Sequence, residues 1–204
     1  MNLNFSDFLP AQIYHLMTQT IIPRPIAWVM TDSGEGNYNL APFSYFTAVS
    51  SNPPLMMFSV GKKPTGEVKD TVKNILDTRQ CVIHIASKDD ANLVTQTAAT
   101  LAHGESEVAI NNIALSDFEG FAMPRIEHCN IAYGCELYEI KEIGDVPQTL
   151  VFVEIKTFYI CDDVVSFDAK NRIHIDADKV NPLARLGGGE YAGISQSFNI
   201  ERPE

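Results

Sequence analysis

The chain has 204 residues, of which 45% are apolar and 20% charged, values typical of a folded globular protein rather than a disordered one. Its formal net charge of −11 argues against nucleic-acid binding, which needs concentrated positive charge. No apolar run reaches the roughly 18 residues that a membrane-spanning helix needs. The N-terminus shows no basic segment leading into an apolar one, so we expect a cytoplasmic protein without a membrane partner.

The first third of the chain predicts a hairpin, a strand and a helix, in that order. Residues 24–30 and 39–49 are rich in β-branched, aromatic and small side chains, and the turn-rich segment 32–37 between them favours a β-hairpin. The apolar run 55–60 reads as the next strand. Apolar residues at helical spacing then predict a helix over about 69–78.

The rest of the chain is dominated by predicted strands, with one helical segment at 89–101 and little periodic signal over 105–127. The strands are expected at residues 81–86, 131–143, 149–161 and 172–175. A glycine-rich loop at 181–191 allows close backbone approach. We interpret residues 1–204 as a single domain of mainly β structure with helical inserts.

The cysteines and histidines give no sign of a disulfide framework or a metal site. Four widely spaced cysteines without a Cys-x-x-Cys motif are expected to be buried thiols. No histidine has a partner at metal-ligand spacing, so we expect no metal. The sequence shows no triad or acid–base pair either, so we predict no catalytic side chain. His103, in an irregular segment that could fold over a bound group, is the one histidine to test for function.

A cluster of basic residues marks a candidate anion site in this acidic chain. Five of the fifteen lysines and arginines fall between Lys62 and Arg79, against three acidic residues, for a local net charge of +2. The predicted helix opens here at Lys69-Asp70-Thr71, and a helix N-terminus offers unpaired N–H groups to a phosphate. The alternative is that Asp70 or Thr71 only caps the helix. Neither a P-loop nor a Gly-x-Gly-x-x-Gly motif is present.

A second candidate segment, residues 39–54, mixes aromatic residues, small hydroxyl residues and prolines. Backbone groups beside Pro42, together with Ser44 and Thr47, could bind the polar edge of a flat heterocycle that the aromatics shield from water. The alternative is that these aromatics belong to the core.

Five segments, in this order along the chain, resemble the flavin reductase-like, FMN-binding split-barrel family. They are Pro23-Arg24-Pro25-Ile26-Ala27-Trp28-Val29, residues 39–54, Phe58-Ser59-Val60-Gly61, Lys69-Asp70-Thr71-Val72-Lys73-Asn74-Ile75, and Leu183-Ala184-Arg185-Leu186-Gly187-Gly188 followed by Tyr191. The resemblance extends from about residue 20 to 195.

The resemblance implies a six-stranded Greek-key split β-barrel that forms a homodimer, with FMN in a groove at the subunit interface. Lys69, Asp70 and Thr71 match the phosphate segment, and Ser59 and Gly61 match the strand end beside the ribityl chain. Arg24 matches a residue that contacts either the cofactor or the dimer partner. The ring-lining segment is matched by Asn39, Ala41, Pro42, Ser44 and Thr47.

Three functions remain open on this basis. The first is an NAD(P)H-dependent flavin reductase that uses bound FMN for hydride or electron transfer, with the chemistry supplied by the cofactor. The second is a non-catalytic FMN electron carrier. The third is a split-barrel module that has lost flavin, against which the basic cluster argues.

Overall fold

The computed structural model describes residues 1–34, 36–102, 104–201 and 203. Its helices are α1 Pro10–Thr20, α2 Asp70–Thr78, α3 Ala91–Gln96, α4 Glu107–Ile110 and α5 Ala177–Val180. Its strands are β1 Arg24–Pro25, β2 Ala27–Asp32, β3 Tyr38–Phe43, β4 Phe46–Ser51, β5 Pro54–Val60, β6 Gln80–Ile85, β7 Leu115–Ser116, β8 Arg125–Ile126, β9 Ile131–Ile143, β10 Gln148–Ile160, β11 Val165–Phe167, β12 Ile173–Ile175, β13 Ala184–Arg185 and β14 Tyr191–Ala192. The mainly β class with helical inserts is therefore confirmed.

Seven antiparallel strands form the central sheet, in the order β3-β2-β6-β9-β10-β5-β4. Its two edge strands, β3 and β4, are consecutive in the chain and are joined by only Ser44 and Tyr45. A link this short reaches about 11 Å, so the sheet must curl until its edges approach each other. The Ser59 N–H of β5 donates to the Tyr45 carbonyl at 2.8 Å and extends the β4–β5 pairing into this link.

The expected six-stranded Greek-key split β-barrel is confirmed only in part. In the described ranges the central sheet has seven strands, and its ladder does not close between β3 and β4. The physical reason lies in segment 39–49, which reads as one strand but breaks after Phe43. Its two halves then pair at opposite edges of the sheet. Register shifts between β9 and β10, at Phe152/Val153 and Ile155/Thr157, mark bulges of the kind that increase twist.

Strands β2 and β6 are buried on both faces because the core has two layers. Ala27 and Val29 of β2 face the inside of the curled sheet, whereas Trp28 and Met30 face an outer layer, as expected from the alternation of side chains along a strand. The inner layer includes Phe58, Ile83 and Val151, with Val72 and Ile75 of α2 packed against it. The outer layer is covered by α3, α4 and the segment 113–126.

Helix α2 confirms the predicted helix and is fixed against the sheet by polar as well as apolar contacts. Val72 and Ile75 are buried, and the Asn74 amide donates to the Thr31 hydroxyl of β2 at 3.1 Å. Val68 and Leu76, which share the predicted apolar stripe, are exposed. The helix ends at Arg79, whose φ of 65° is left-handed. This docking places the first turn of α2 beside β3.

The predicted strands after α2 are all present, and the cysteines are free thiols as expected. Cys81, Cys129 and Cys135 are buried, and Cys161 is partly buried. The predicted helix at 89–101 is shorter, since α3 spans Ala91–Gln96. Among the helices of the described segments, none is both long and apolar enough to span a membrane.

Candidate functional site

Two adjoining cavities of about 320 and 330 Å³ lie where α2, the β3–β4 seam and the end of β5 meet. Pro42, Lys62 and Lys69 line both cavities and mark their junction. The first cavity contains the predicted residues Asn39, Ala41, Pro42, Lys69, Asp70 and Thr71. The second contains the predicted residues Pro42, Ser44, Ser59, Gly61 and Lys69. Segments distant in sequence are thus brought to one place.

Arg24 lines neither cavity, and its side chain holds backbone instead. Its guanidinium is buried and donates to the carbonyls of Thr18 at 2.6 Å and Ile21 at 2.7 Å. It also donates to the carbonyl of Leu186 at 2.7 Å and lies 3.4 Å from the Ser44 hydroxyl. These bonds tie the end of α1 to the β3–β4 seam and the glycine-rich loop, and contact of Arg24 with a cofactor or a dimer partner stays a prediction.

Thr47 also lies outside both cavities. It is exposed on β4, where all residues except Phe46 are exposed, and its hydroxyl donates to the carbonyl of Ala48 at 3.2 Å. The break after Phe43 is the reason, since it carries the second half of segment 39–49 to the far edge of the sheet. Contact of Thr47 with the flavin ring stays a prediction.

Lys69 carries the positive charge at the junction of the two cavities. Of the three lysines there, Lys62 pairs with Glu142 at 2.9 Å and Lys63 pairs with Asp70 at 2.8 Å. Within the described ranges, Lys69 has no carboxylate within 4.0 Å, and its ammonium lies 5.6 Å from the centre of the Phe43 ring. Burial, and secondarily Lys63, lowers the pKa of Lys69. A half-buried cation in this state favours an anionic ligand.

The first turn of α2 adds backbone N–H groups to the positive charge of Lys69. Lys69 is the N-cap residue and makes no side-chain capping bond, so the early N–H groups of the helix are not satisfied by a capping side chain. The Asp70 carboxylate accepts hydrogen bonds from the Lys63 ammonium. The Thr71 hydroxyl is buried and accepts from the Asn39 amide at 3.2 Å, which links the helix to the edge strand β3.

Glu107 is a cavity residue that the sequence did not reveal. It lies at the start of α4 in the wall of the first cavity, and its carboxylate accepts the Leu40 N–H of β3 at 2.9 Å. Burial is the main cause that raises the pKa of Glu107. The side chain covers an N–H of an edge strand, a role that only the fold makes visible.

Tyr45 places a buried polar atom without a partner beside the second cavity. Its hydroxyl makes no hydrogen bond with any described residue, and burial, followed by nearby Tyr14, raises the pKa of this group. A buried hydroxyl left unpaired costs about 1–3 kcal/mol. The donor set around the cavities therefore fits a ligand with a phosphate at Lys69 and further polar groups along the seam.

The described histidines lie away from these cavities. His84 is fully buried: its Nδ1 donates to the Trp28 carbonyl at 3.2 Å, and its Nε2 accepts the Ile126 N–H at 2.9 Å. His128 Nε2 donates to the Asp90 carboxylate at 2.9 Å, and this hydrogen bond is the largest cause that raises the pKa of His128. His103 lies outside the described residues.

The fold also assembles a group that the spacing along the chain could not show. Ligand atoms of Asp90, His128 and Cys129 all lie within 4.8 Å of one another. Burial raises the pKa of the Cys129 thiol far above its usual range, so the group carries a neutral thiol beside a histidine–aspartate pair. The expectation that no histidine has such neighbours rested on sequence spacing, and Asp90 is 38 residues from His128.

The resemblance led us to expect a split β-barrel that binds FMN, and comparison with known proteins tests the family. Residues 17–173 match the family model of the flavin reductase like domain. The chain belongs to this family.

Similar proteins cover nearly the whole chain. The crystal structure of nitrilotriacetate monooxygenase component B from Bacillus cereus is 32% identical, with a TM-score of 0.88 and coverage of 98% of each chain. That of 2-nitrobenzoate 2-nitroreductase NbaA from Pseudomonas fluorescens is 28% identical, with a TM-score of 0.87 and coverage of 100% of this chain and 96% of the other. Protein YwrF from Bacillus subtilis is 31% identical over 93% of each chain.

Proposed function

We propose that the chain binds FMN in the two adjoining cavities and acts as an NAD(P)H-dependent flavin oxidoreductase. One observation carries the cofactor assignment: Lys69 is half-buried at the start of α2, at the junction of the cavities, without a carboxylate partner in the described ranges. A flavin with a phosphate supplies the missing negative charge, whereas a flavin without one does not.

Different residues of the two cavities suit different parts of FMN. Lys69 and the first N–H groups of α2 suit the phosphate. Ser59 and Gly61 at the end of β5 lie in the wall of the second cavity and suit the polyol chain. Ala41 and Pro42 of β3 offer a flat, largely apolar wall for the ring. Bound FMN would supply the capacity to accept a hydride and pass on electrons.

The chain's own part is to bind, orient and exclude water. The Asn39–Thr71 bond fixes the first turn of α2 against β3, and the Glu107–Leu40 bond holds the edge strand that carries Ala41 and Pro42. Among the described residues that line the two cavities there is no histidine or cysteine. This fits a reaction in which no side chain needs to act as nucleophile.

The cofactor and the reaction can be tested together on freshly purified protein. We expect a yellow protein, or one that becomes so on adding FMN, whose flavin absorbance bleaches on adding NADH or NADPH under argon. Bleaching by dithionite but by neither nicotinamide would replace the reductase with an electron carrier. Failure to bind any flavin would leave a ligand-binding module and contradict the proposal.

We also propose that the chain acts as a homodimer. Strand β4 is an edge strand that leaves Val49 49% exposed, and α1 leaves Tyr14, which lines the second cavity, 62% exposed. Covering such apolar surface stabilises an assembly by about 25 cal/mol per Å². A second copy would cover both the edge and the mouth of the cavity.

Light scattering at micromolar concentration should therefore give twice the chain mass of 22.6 kDa. The measurement should be made with and without FMN, since a ligand shared between subunits favours the dimer by mass action. A monomer that binds FMN with undiminished affinity would contradict a shared groove.

A further inference from the structure

A third cavity, of about 170 Å³, opens beside the two already described. Its wall is mostly apolar, with Ile26, Val94, Pro42 and Tyr191, and it carries two polar groups, the Ser44 hydroxyl and the Arg185 guanidinium. None of the three functions considered from the sequence uses this cavity. It lies under the glycine-rich loop, to which no role has yet been given.

The third cavity adjoins the other two, with which it shares wall residues. Pro42 lines all three, Ser44 lines the second and third, and Ala98 lines the first and third. Pro42 and Ser44 are the residues that the resemblance places at the flavin ring. A ligand in the third cavity would therefore lie beside that ring, a location that rests on the proposed function.

The size of the third cavity limits what it can hold. A protein cavity of about 150 Å³ is large enough for benzene, and 170 Å³ is well below the roughly 300–1,000 Å³ of pockets for drug-sized ligands. One six-membered ring with a small substituent fits within the third cavity alone, whereas a dinucleotide would have to extend beyond it.

The Arg185 guanidinium lies in the wall of this cavity, and no described carboxylate neutralises its charge. Its guanidinium lies 4.4 Å from the centre of the Tyr191 ring and donates to the Gly188 carbonyl. Tyr191 is itself anchored, because the Thr95 hydroxyl donates to its phenol oxygen at 3.0 Å. Within the described ranges no carboxylate lies within 4.0 Å of Arg185. A guanidinium has five N–H donors, so most remain for a ligand.

We propose that the third cavity binds a single-ring organic carboxylate, with the carboxylate on Arg185 and the ring against Pro42 and Tyr191. A planar guanidinium can bind a carboxylate through two parallel hydrogen bonds. Stacking on Tyr191 keeps the Arg185 guanidinium in one orientation, so the side chain loses less conformational freedom when a carboxylate binds. Arg185 would thereby select which molecules approach the cofactor.

Benzoate, with neutral benzamide as its near-isosteric control, tests the proposal in calorimetric titrations of the flavin-loaded protein. Charge-assisted hydrogen bonds of this kind are worth about ten- to a hundredfold in affinity. We expect benzoate to bind more tightly than benzamide by about that factor, and Arg185→Gln to remove the difference. Benzoate should also perturb the flavin absorbance of the wild type, which reports that it lies beside the ring.

Arg125→Gln provides a matched control. Arg125 also stacks on a tyrosine, with its guanidinium 3.5 Å from the centre of the Tyr159 ring, but it lines none of the three cavities. This variant should keep the preference for benzoate. Thermal unfolding of both variants checks that they fold. Arg185→Lys keeps the positive charge but loses the planar guanidinium, so it should retain part of the affinity for benzoate.

Two results would overturn the proposal: equal affinities for benzoate and benzamide in the wild type, or an Arg185→Gln variant that raises the KM for NADH or NADPH without changing benzoate binding. The second would assign Arg185 to the phosphates of the nicotinamide donor. Benzoate binding should also be measured on protein without flavin. Retention of Arg185-dependent binding in a protein that takes up no flavin would refute the proposed function while supporting this site.

Discussion

Replacing Lys69 with glutamine should weaken FMN binding by about ten- to a hundredfold and change riboflavin binding by less than about threefold. The two ligands differ only by the phosphate, and Lys69 is the lysine at the cavity junction whose charge no described carboxylate neutralises. Its lowered pKa has burial as the main cause, so a bound phosphate would relieve an unfavourable charge. Fluorescence titration of the two flavins measures the ratio.

Lys170→Gln is the control for loss of a positive charge, since Lys170 is exposed in the β11–β12 hairpin and far along the chain from the cavities. It should leave both affinities unchanged. Thr71→Ala is a less direct probe, because it also removes the acceptor of the Asn39 amide. If Lys69→Gln weakens FMN and riboflavin equally, the phosphate lies elsewhere and the placement of the cofactor is wrong.

Acidification from pH 6.5 to 4.5 should cost about 2 kcal/mol of unfolding free energy through His84 alone, with a slope that approaches about 1.4 kcal/mol per pH unit. Burial lowers the pKa of His84 to about 3, whereas an unfolded chain has a histidine pKa near 6.5. Between these values the unfolded state binds the proton and the folded state does not. Stability is therefore complete above about pH 6.5 and falls as the pH approaches 3.

The hydrogen bonds explain why His84 resists protonation. Its Nε2 must accept the Ile126 N–H while its Nδ1 donates to the Trp28 carbonyl, and a proton on Nε2 would set two N–H groups against each other. Denaturant unfolding at several pH values measures the slope, and NMR titration of the imidazole should show no protonation above about pH 4. A His84 resonance that titrates near pH 6.5 in the folded protein would contradict this assignment.

His128 should have the opposite effect on the pH dependence of folding stability. Its contribution is lost as the pH rises, whereas that of His84 is lost as the pH falls. The hydrogen bond with Asp90 is the largest cause that raises the pKa of His128, so its contribution is present below the unfolded value and is lost as the pH rises through the folded value. His128 is 45% exposed, so solvent screening keeps this contribution small.

The elements that the sequence predicted well are those with a buried face. Strands β2, β5 and β6 and helix α2 place apolar side chains in the core, so their periodicity is visible in the residues alone. Helix α1 fully buries only Thr18, and its short apolar stripe of Ile13, Leu16 and Met17 is only partly buried, so the signal for this helix is weak. The split of segment 39–49 into β3 and β4 depends on pairing with strands from elsewhere in the chain, which local sequence does not encode.

Some residues of the candidate site could also be predicted from the sequence, whereas others are revealed only by the fold. Lys69 could be selected from a local basic cluster followed by a helix start. The functions of Arg24 and Glu107 depend on which carbonyl or N–H group the fold brings to them, at Leu186 and Leu40. Asp90 and His128 meet through tertiary packing over 38 residues. Such contacts require the topology before they can be assigned.

The seam between β3 and β4 makes the width of the proposed cofactor site depend on the whole sheet. One wall belongs to β3 and another to the end of β5, which lie near opposite ends of the seven-strand order. On one side the two-residue link and the β4–β5 ladder limit the distance between these walls. On the other side the twist of every remaining strand contributes to that distance, including the bulges between β9 and β10. Sequence changes on the far side of the molecule can therefore adjust ligand fit without touching the ligand.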